Sequence, residues 1–220
     1  MSGPVRVACL HTAASNVAVF DAAARGLAVE LHHRVSADLL LRAETAGGLT
    51  AAIADDAARL LAELARDADV VLLTCSTVGP AVEKVADAPA PVMRVDAALA
   101  DAAVRSGGRV VVLCAVATTI EPTRVLFERA AARTGAAIEL RLVPDAWAAF
   151  RAGDVGRYHA LIAAAADRAF ADGADAVALA QASMAGAAAL CVRGVPFTSP
   201  GAGLAAAAQS PARARPHSPG

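Results

Sequence analysis

The chain has 220 residues and a formal net charge of −1, and 57% of its residues are hydrophobic. This length is enough for one large domain or two lobes of about a hundred residues each, and the apolar content excludes a disordered chain. The balanced charge and the 3% aromatic content argue against nucleic acid or a membrane surface as a partner.

Predicted strands and helices alternate along the chain. Apolar runs predict strands at residues 5–10, 28–32, 70–74, 92–95, 109–115, 137–142 and 176–180. Helical spacing and turn signals predict helices at residues 16–25, 49–67, 122–134, 155–171 and 184–190, with another that begins near residue 78. The polar, proline-rich residues 209–220 predict a disordered tail. This alternation is typical of an α/β fold with mainly parallel sheets.

Cofactor and compartment are constrained by a few residue types. Lys84 is the only lysine and stands on a predicted helix surface, so a pyridoxal phosphate enzyme, which needs a Schiff-base lysine, is not expected. The four cysteines form no CxxC pair and the histidines are not spaced to complete a zinc site, so we expect no metal and no cofactor. No secretory leader or membrane span is visible. We therefore expect a cytoplasmic protein with reduced thiols.

An internal repeat indicates that an α/β lobe is duplicated. A spacing of 106 residues separates Thr12 from Thr118, Asp69 from Asp175, Cys75 from Gln181, and Thr77 from Ser183. We predict two Rossmann-like lobes related by a pseudo-two-fold axis, with the active site in the cleft between them. Lobe 1 is assigned residues 1–95 and 195–208, and lobe 2 is assigned residues 96–194.

The residues that follow the strands are the site candidates, because ligands of open α/β sheets bind at the carboxyl ends of the strands. Each of these loops leads into a predicted helix, whose first N–H groups suit a carboxylate. Hydroxyl groups are frequent and acidic residues are absent, which predicts an anion pocket with one thiol. The set is His11, Thr12, Cys75, Ser76, Thr77, Thr118, Thr119, Gln181, Ala182 and Ser183.

Cys75 is the residue best placed for chemistry. Cys75 precedes the helix that begins near residue 78, whose dipole and free N–H groups would lower the thiol pKa from about 8.5. The thiolate could then take a proton from carbon or attack an electrophile. The alternative is a small buried apolar residue. His11 is either a second acid/base or a histidine that holds its loop by hydrogen bonds. Thr118 and Thr119 either cap the next helix or contact the ligand.

The other cysteines and histidines are interpreted as structural. Cys9, Cys114 and Cys191 stand in apolar surroundings and are expected in the core, whereas His32 and His33 are expected on the surface.

These motifs resemble the aspartate/glutamate racemase superfamily, which includes hydantoin racemases, maleate isomerases and arylmalonate decarboxylases. The resemblance covers about residues 4–207. It is carried, in the expected order, by His11-Thr12 with Asn16, Cys75-Ser76-Thr77, Ala117-Thr118-Thr119, and residues 179–184 and 196–200. It implies chemistry without cofactor at a carbon next to a carboxylate or carbonyl of a small molecule. One cysteine removes a proton and a second delivers one to the opposite face.

The resemblance also assigns roles to single residues. Cys75 matches the first cysteine, and a homodimer is expected by resemblance alone. Gln181 stands where the second cysteine should be, and an amide does not exchange a proton at neutral pH. Three alternatives follow: Ser183 or His11 is the second acid/base, the enzyme is a one-sided decarboxylase or cis–trans isomerase, or the protein binds a carboxylate without turning it over. The residues implied to hold the substrate are Thr12, Asn16, Ser76, Thr77, Thr118, Thr119 and Gln181.

Overall fold

A computed structural model describes residues 3–211 of the chain. Its strands are β1 Val5–His11, β2 Val29–Val35, β3 Val70–Leu73, β4 Val92–Arg94, β5 Arg109–Cys114, β6 Ala137–Leu142, β7 Ala176–Leu179 and β8 Phe197–Thr198. Its α-helices are α1 Ser15–Ala23, α2 Ala37–Thr45, α3 Ala51–Asp67, α4 Val95–Val104, α5 Ile120–Ala131, α6 Ala146–Arg151, α7 Val155–Ala171 and α8 Ser199–Ala208. Short 3-10 helices occupy Gly79–Val85, Ala117–Thr119 and Ala182–Leu190.

The strands form two parallel sheets with the same topology. One sheet has the order β2-β1-β3-β4 and the other has the order β6-β5-β7-β8. The chain divides into two compact units: the second comprises Ala18–Ala23 and Val95–Gly203, and the first comprises the other described residues. The predicted α/β class with two similar parallel lobes is confirmed. The predicted tail at residues 209–220 lies outside the described residues from residue 212 onward.

Strands were predicted more accurately than helices. The bounds of β6 and α7 match the sequence prediction, whereas α2, α4, α6 and α8 were missed. Helix α4 is alanine-rich and mostly buried, so it lacks the polar face that marks a helix in a sequence. The helices predicted near residue 78 and at residues 184–190 are both 3-10 helices, which commonly serve as short connectors. None of the described helices combines the length and apolar content that a membrane crossing requires.

In the first unit, the side chains of β1 alternate between the two faces of the sheet. Ala8 and Leu10 belong to a buried core that also contains Leu61 of α3. Because successive side chains of a strand point to opposite faces, Cys9 and His11 share the other face. The first sheet therefore separates an ordinary apolar core from a face that carries a thiol and an imidazole.

In the second unit, β5 is buried on both faces. Val111 and Leu113 belong to a cluster that contains Ile162 of α7. Val112 and Cys114 belong to another, which contains α4 and α5 side chains. This explains the continuous apolar sequence of β5, which is the pattern of a central parallel strand covered on both sides.

One aspartate in each unit bonds the backbone at the start of the neighbouring strand. Asp69 accepts hydrogen bonds from the backbone N–H of Arg6 at 2.8 Å and from the Arg6 guanidinium at 2.8 Å. Asp175 accepts from the backbone N–H of Arg109 at 2.7 Å. The repeated Asp thus has a structural role, in which the carboxylate completes the hydrogen bonding of a strand end.

The pairing of the central strands corrects the predicted register of the repeat. Residue 7 pairs with residue 70 in the first sheet, and residue 110 pairs with residue 176 in the second. The spacing is therefore 106 residues for β3 and β7 but 103 residues for β1 and β5. His11 consequently corresponds to Cys114, and the prediction that Thr12 and Thr118 share the register of the later strands is wrong. The second unit has three additional residues between its two central strands.

We expect Asp69→Ala to lower the free energy of unfolding by about 1–3 kcal/mol, because the half-buried Arg6 loses the carboxylate that accepts from its backbone N–H and from its guanidinium. Asp175→Ala is the matched control. It should cost less, because Asp175 is exposed and water can replace its carboxylate. Urea denaturation of both variants measures the difference. Equal losses for the two variants would show that the burial of Asp69 does not matter.

Candidate active site

The first group of predicted residues lies at the carboxyl edge of the first sheet. Strand β1 ends at His11 and β3 ends at Leu73, and parallel strands end at the same edge. The backbone N–H of Thr74 bonds the carbonyl of Leu10 at 3.1 Å, which continues the strand pairing into the loop. Of the predicted residues here, His11 and Thr12 are buried, Asn16 and Cys75 are half-buried, and Ser76 and Thr77 are exposed.

Cys75 is a half-buried thiol directly after this edge. It packs partly against the first core, and a turn over residues 76–78 separates it from the 3-10 helix that begins at Gly79. The start of this helix agrees with the predicted start near residue 78, but it is a 3-10 helix rather than an α-helix. No disulfide involves Cys75 or the other three cysteines, all of which lie in the described part of the chain. The Cys75 side chain packs against apolar neighbours on one side and is accessible to solvent at the sheet edge on the other.

His11 is fully buried and hydrogen-bonded at both ring nitrogens. Its Nδ1 lies 2.8 Å from Oγ1 of Thr74, and its Nε2 lies 2.8 Å from Nδ1 of His33. The Thr74 hydroxyl donates to the carbonyl of Leu10 at 3.1 Å, so it accepts from Nδ1–H of His11. In the neutral ring, Nε2 of His11 then accepts from Nδ1–H of His33. This geometry fits the second interpretation of His11, a histidine held by hydrogen bonds.

The interpretation of His33 as a surface residue is wrong. His33 is half-buried, and its ring stacks on that of His11 with centroids 5.1 Å apart. It lies opposite Cys9 in the β1–β2 register, and the three side chains form a cluster with ligand atoms within 4.8 Å of one another. The signal in the sequence was weak, because only the exact register between β1 and β2 brings Cys9 and His33 together.

The second group of predicted residues follows β5 and β7 in the second unit. The Oε1 of Gln181 accepts from the backbone N–H of Ala115 at 2.8 Å, and its Nε2 donates to Oγ1 of Thr119 at 2.9 Å. The Thr119 hydroxyl donates to the carbonyl of Val116 at 2.7 Å, so it does not cap α5. Gln181 therefore holds the loop after β5. The remaining residues of this group are Thr118, which is exposed, Ala182, which is buried, and Ser183, which is half-buried.

Ser183 is held by a buried tyrosine. Its Oγ lies 2.9 Å from the hydroxyl of Tyr158, and its carbonyl lies 3.0 Å from Nε2 of His159. Burial raises the pKa of Tyr158 to about 12, and the hydrogen bond with Ser183 opposes that shift only in part. The phenol is therefore neutral at physiological pH and anchors the Ser183 side chain without acting as a base.

A further thiol, Cys114, lies near Gln181 but is enclosed. Its pKa is raised by burial, while hydrogen bonding with Thr123, Thr119 and Gln181 lowers it by less. The side chain is fully buried, in agreement with its interpretation as a core residue. A buried thiol with a raised pKa stays protonated at neutral pH and is a poor proton acceptor.

Comparisons with known proteins identify the family of the chain and structures with the same fold. A sequence model of the family described as Asp/Glu/Hydantoin racemase matches residues 10–208. No curated protein matches the chain.

Several solved structures share the fold at low sequence identity. An aspartate racemase from Picrophilus torridus is similar with a TM-score of 0.68 and 13% identity, over 96% of this chain and 96% of that one. An allantoin racemase from Klebsiella pneumoniae is similar with a TM-score of 0.65 and 16% identity, over 92% and 86%. A maleate isomerase from Pseudomonas putida S16, solved with maleate, is similar with a TM-score of 0.55 and 16% identity, over 92% and 90%.

The burial of Tyr158 can be tested directly, because it is the only tyrosine in the chain. We expect the phenolate absorbance to appear near pH 12 in the folded protein and near its ordinary pH of about 10 in denaturant. Since the folded pKa is the higher one, the stabilisation from the neutral phenol is full below pH 10 and is lost as the pH rises toward 12. Tyr158→Phe should lack this loss. Phenolate formation near pH 10 in the folded protein would contradict the buried position.

Proposed function

The chain belongs to the Asp/Glu/Hydantoin racemase family, and from this premise we propose that it is a cofactor-independent isomerase. Its substrate is a small molecule with a carbon acid next to a carboxylate or a similar carbonyl. The observation that carries the proposal is the half-buried Cys75 thiol at the carboxyl edge of the first sheet, in a chain that matches the family over residues 10–208. The racemases and the isomerase among the similar structures support the reaction class.

Cys75 acts as the acid/base in this proposal. Its thiolate takes the proton from the substrate carbon, and the electron pair of the broken C–H bond moves into the carbonyl to give an enediolate-like anion. The hydroxyl and backbone N–H groups of the exposed residues Ser76 and Thr77, together with the hydroxyl of Thr12, stabilise the developing negative charge on oxygen. Return of the proton from Cys75 to the same face regenerates the substrate and gives hydrogen exchange only, so a change of configuration requires a second proton donor on the opposite face.

Gln181 favours a one-sided reaction over symmetric racemisation. Both polar ends of its amide are engaged, with Ala115 and Thr119, and an amide carries no exchangeable proton of suitable pKa. The other two acid/base candidates are also engaged. His11 is fully buried and bonded at both nitrogens, and the Ser183 hydroxyl is bonded to Tyr158. We therefore propose a reaction that needs one thiol only. In a decarboxylase, the Cys75 thiol protonates the carbanion left when CO₂ departs; in a cis–trans isomerase, the Cys75 thiolate adds to the C=C bond, the new single bond rotates and the thiolate is eliminated.

The Cys75 thiol also favours one cellular compartment for the protein. A cysteine that must cycle between thiol and thiolate needs a reducing compartment, so we place the protein in the cytoplasm. The proposal involves no nucleic acid, no membrane and no cofactor. A homodimer remains an expectation from the family resemblance.

Proton NMR in D₂O tests the acid/base role of Cys75. Wild type is incubated with amino acids, hydantoins, maleate and arylmalonates, and we expect deuterium at the carbon next to a carboxylate or carbonyl. In Cys75→Ala the rate should fall by about 10²–10⁴-fold, the usual contribution of a positioned acid/base. Cys191→Ala is the matched control, because Cys191 is another half-buried thiol and its pKa is raised by burial and by Asp167.

Two results would contradict this role. Full exchange in Cys75→Ala would remove Cys75 from the mechanism. Thermal stabilisation by a carboxylate, without exchange or product in the wild type, would instead favour a carboxylate-binding protein.

The chirality of the product tests the role of Gln181. The wild type should exchange deuterium with retention of configuration when the substrate is a single enantiomer. Gln181→Cys restores the thiol that the family resemblance implies at this position and should yield the opposite enantiomer, measured by chiral chromatography. Gln181→Ala, which also breaks the bonds to Ala115 and Thr119, controls for loss of the loop contacts. A wild type that racemises freely would show that the one-sided proposal is wrong.

A further inference from the structure

A cluster of transition-metal ligands lies on the face of the first sheet that carries His11. The Sγ of Cys9 and one ring nitrogen each of His11 and His33 lie within 4.8 Å of one another. Within residues 3–211, no other group of three such side chains meets this spacing. We propose that Cys9, His11 and His33 bind one divalent transition metal ion, best fitted by Zn²⁺, with a fourth coordination position left for water or a small ligand.

The strand register builds this cluster on rigid backbone. Cys9 and His11 are two residues apart on β1, so their side chains share a face. His33 lies opposite Cys9 in the parallel pairing of β1 with β2, which places the third ligand beside the first two. A site held by hydrogen-bonded strands keeps its geometry better than one held by loops.

The distances suit tetrahedral coordination after a small adjustment. With Zn–N bonds of about 2.0–2.1 Å and a Zn–S bond of about 2.3 Å, a tetrahedral site separates two nitrogens by about 3.3 Å and a nitrogen from sulfur by about 3.5 Å. Nε2 of His11 and Nδ1 of His33 are now 2.8 Å apart, so they must separate by about half an ångström. The proton on Nδ1 of His33 moves to Nε2 of the same ring, and the Cys9 thiol releases its proton as the Zn–S bond forms.

Thr74 supplies the outer support that such sites usually have. The bond from Nδ1–H of His11 to Oγ1 of Thr74 at 2.8 Å fixes the tautomer that leaves Nε2 as the ligand. The Thr74 hydroxyl is itself oriented by the carbonyl of Leu10. Metal-bound histidines are typically held in this way through their other ring nitrogen.

The donor set and the burial determine which ions fit. Two imidazoles and a thiolate suit Zn²⁺ and its transition-metal neighbours and disfavour Mg²⁺ and Ca²⁺, which need oxygen ligands. Cys9 and His11 are buried, whereas His33 is half-buried, so an ion enters from the His33 side. The site uses neither Cys75 nor Gln181, so it stands or falls independently of the proposed reaction.

Titration of the metal-free, reduced protein with Co²⁺ tests the site. We expect one equivalent to bind with the visible absorption of tetrahedral Co²⁺ and a thiolate-to-cobalt charge-transfer band, and Zn²⁺ should displace it. Cys9→Ser should abolish the charge-transfer band, and His33→Gln should lower the affinity by more than about 100-fold. Thr74→Val should lower it by about 10–100-fold, the usual effect of losing an outer partner.

Matched controls separate this site from adventitious binding. His32→Gln removes the exposed neighbour of His33 on the same strand, and Cys75→Ser removes the other thiol of the first unit; neither should change the spectrum or the affinity. Three results would overturn the proposal: no Co²⁺ bound, an octahedral spectrum without charge transfer, or a charge-transfer band that survives Cys9→Ser. Should Cys9→Ser fail to fold, loss of binding in His33→Gln with an unchanged circular dichroism spectrum supports the site, and unchanged binding there overturns it.

Discussion

The parallel pairing of β1 with its two neighbours is the constraint on which the first unit depends. It sets Leu10 opposite Leu73 and Cys9 opposite His33, and these two alignments decide which polar groups meet at the sheet edge. A shift of one residue would reverse the face of every side chain on β1. It would turn His11 into the apolar core and separate it from Thr74. The backbone hydrogen bonds between the strands thus determine which side chains of this unit lie next to one another.

The two units share a topology but carry different residues where their strands end. In the first unit the second residue after β3 is Cys75, whose thiol is half-buried and forms no disulfide. The corresponding residue in the second unit is Gln181, whose amide bonds two positions of the neighbouring loop. At the ends of β1 and β5, in contrast, the thiol belongs to the second unit: buried His11 of the first unit corresponds to buried Cys114 of the second. Duplication preserved the sheets, while the residues at their edges diverged.

The sequence was sufficient to predict the α/β class, the duplication and the position of Cys75 after its strand, because each depends on local pattern. Apolar runs bounded by turn residues identify central strands such as β5, and the amphipathic spacing of α7 identifies a long helix. The helix α4 was missed because buried alanines show no polar face. The partnership of His33 with Cys9 and His11 was missed because it depends on the exact register in which β1 pairs with β2. The three-residue difference between the units lies in the segments that connect their central strands, where no apolar pattern marks it.

Burial explains why the cysteines differ in what they can do. Desolvation disfavours a thiolate, so Cys114, enclosed between β5 and its helices, is kept protonated at neutral pH. Cys75 escapes full enclosure because its strand has already ended, and the following turn exposes Ser76 and Thr77 beside it. Cys9 is as buried as Cys114, but two imidazoles lie next to it, and a bound cation would offset the desolvation of its thiolate. The cysteines thus differ in burial and in polar neighbours according to where each strand ends and which groups face the thiol.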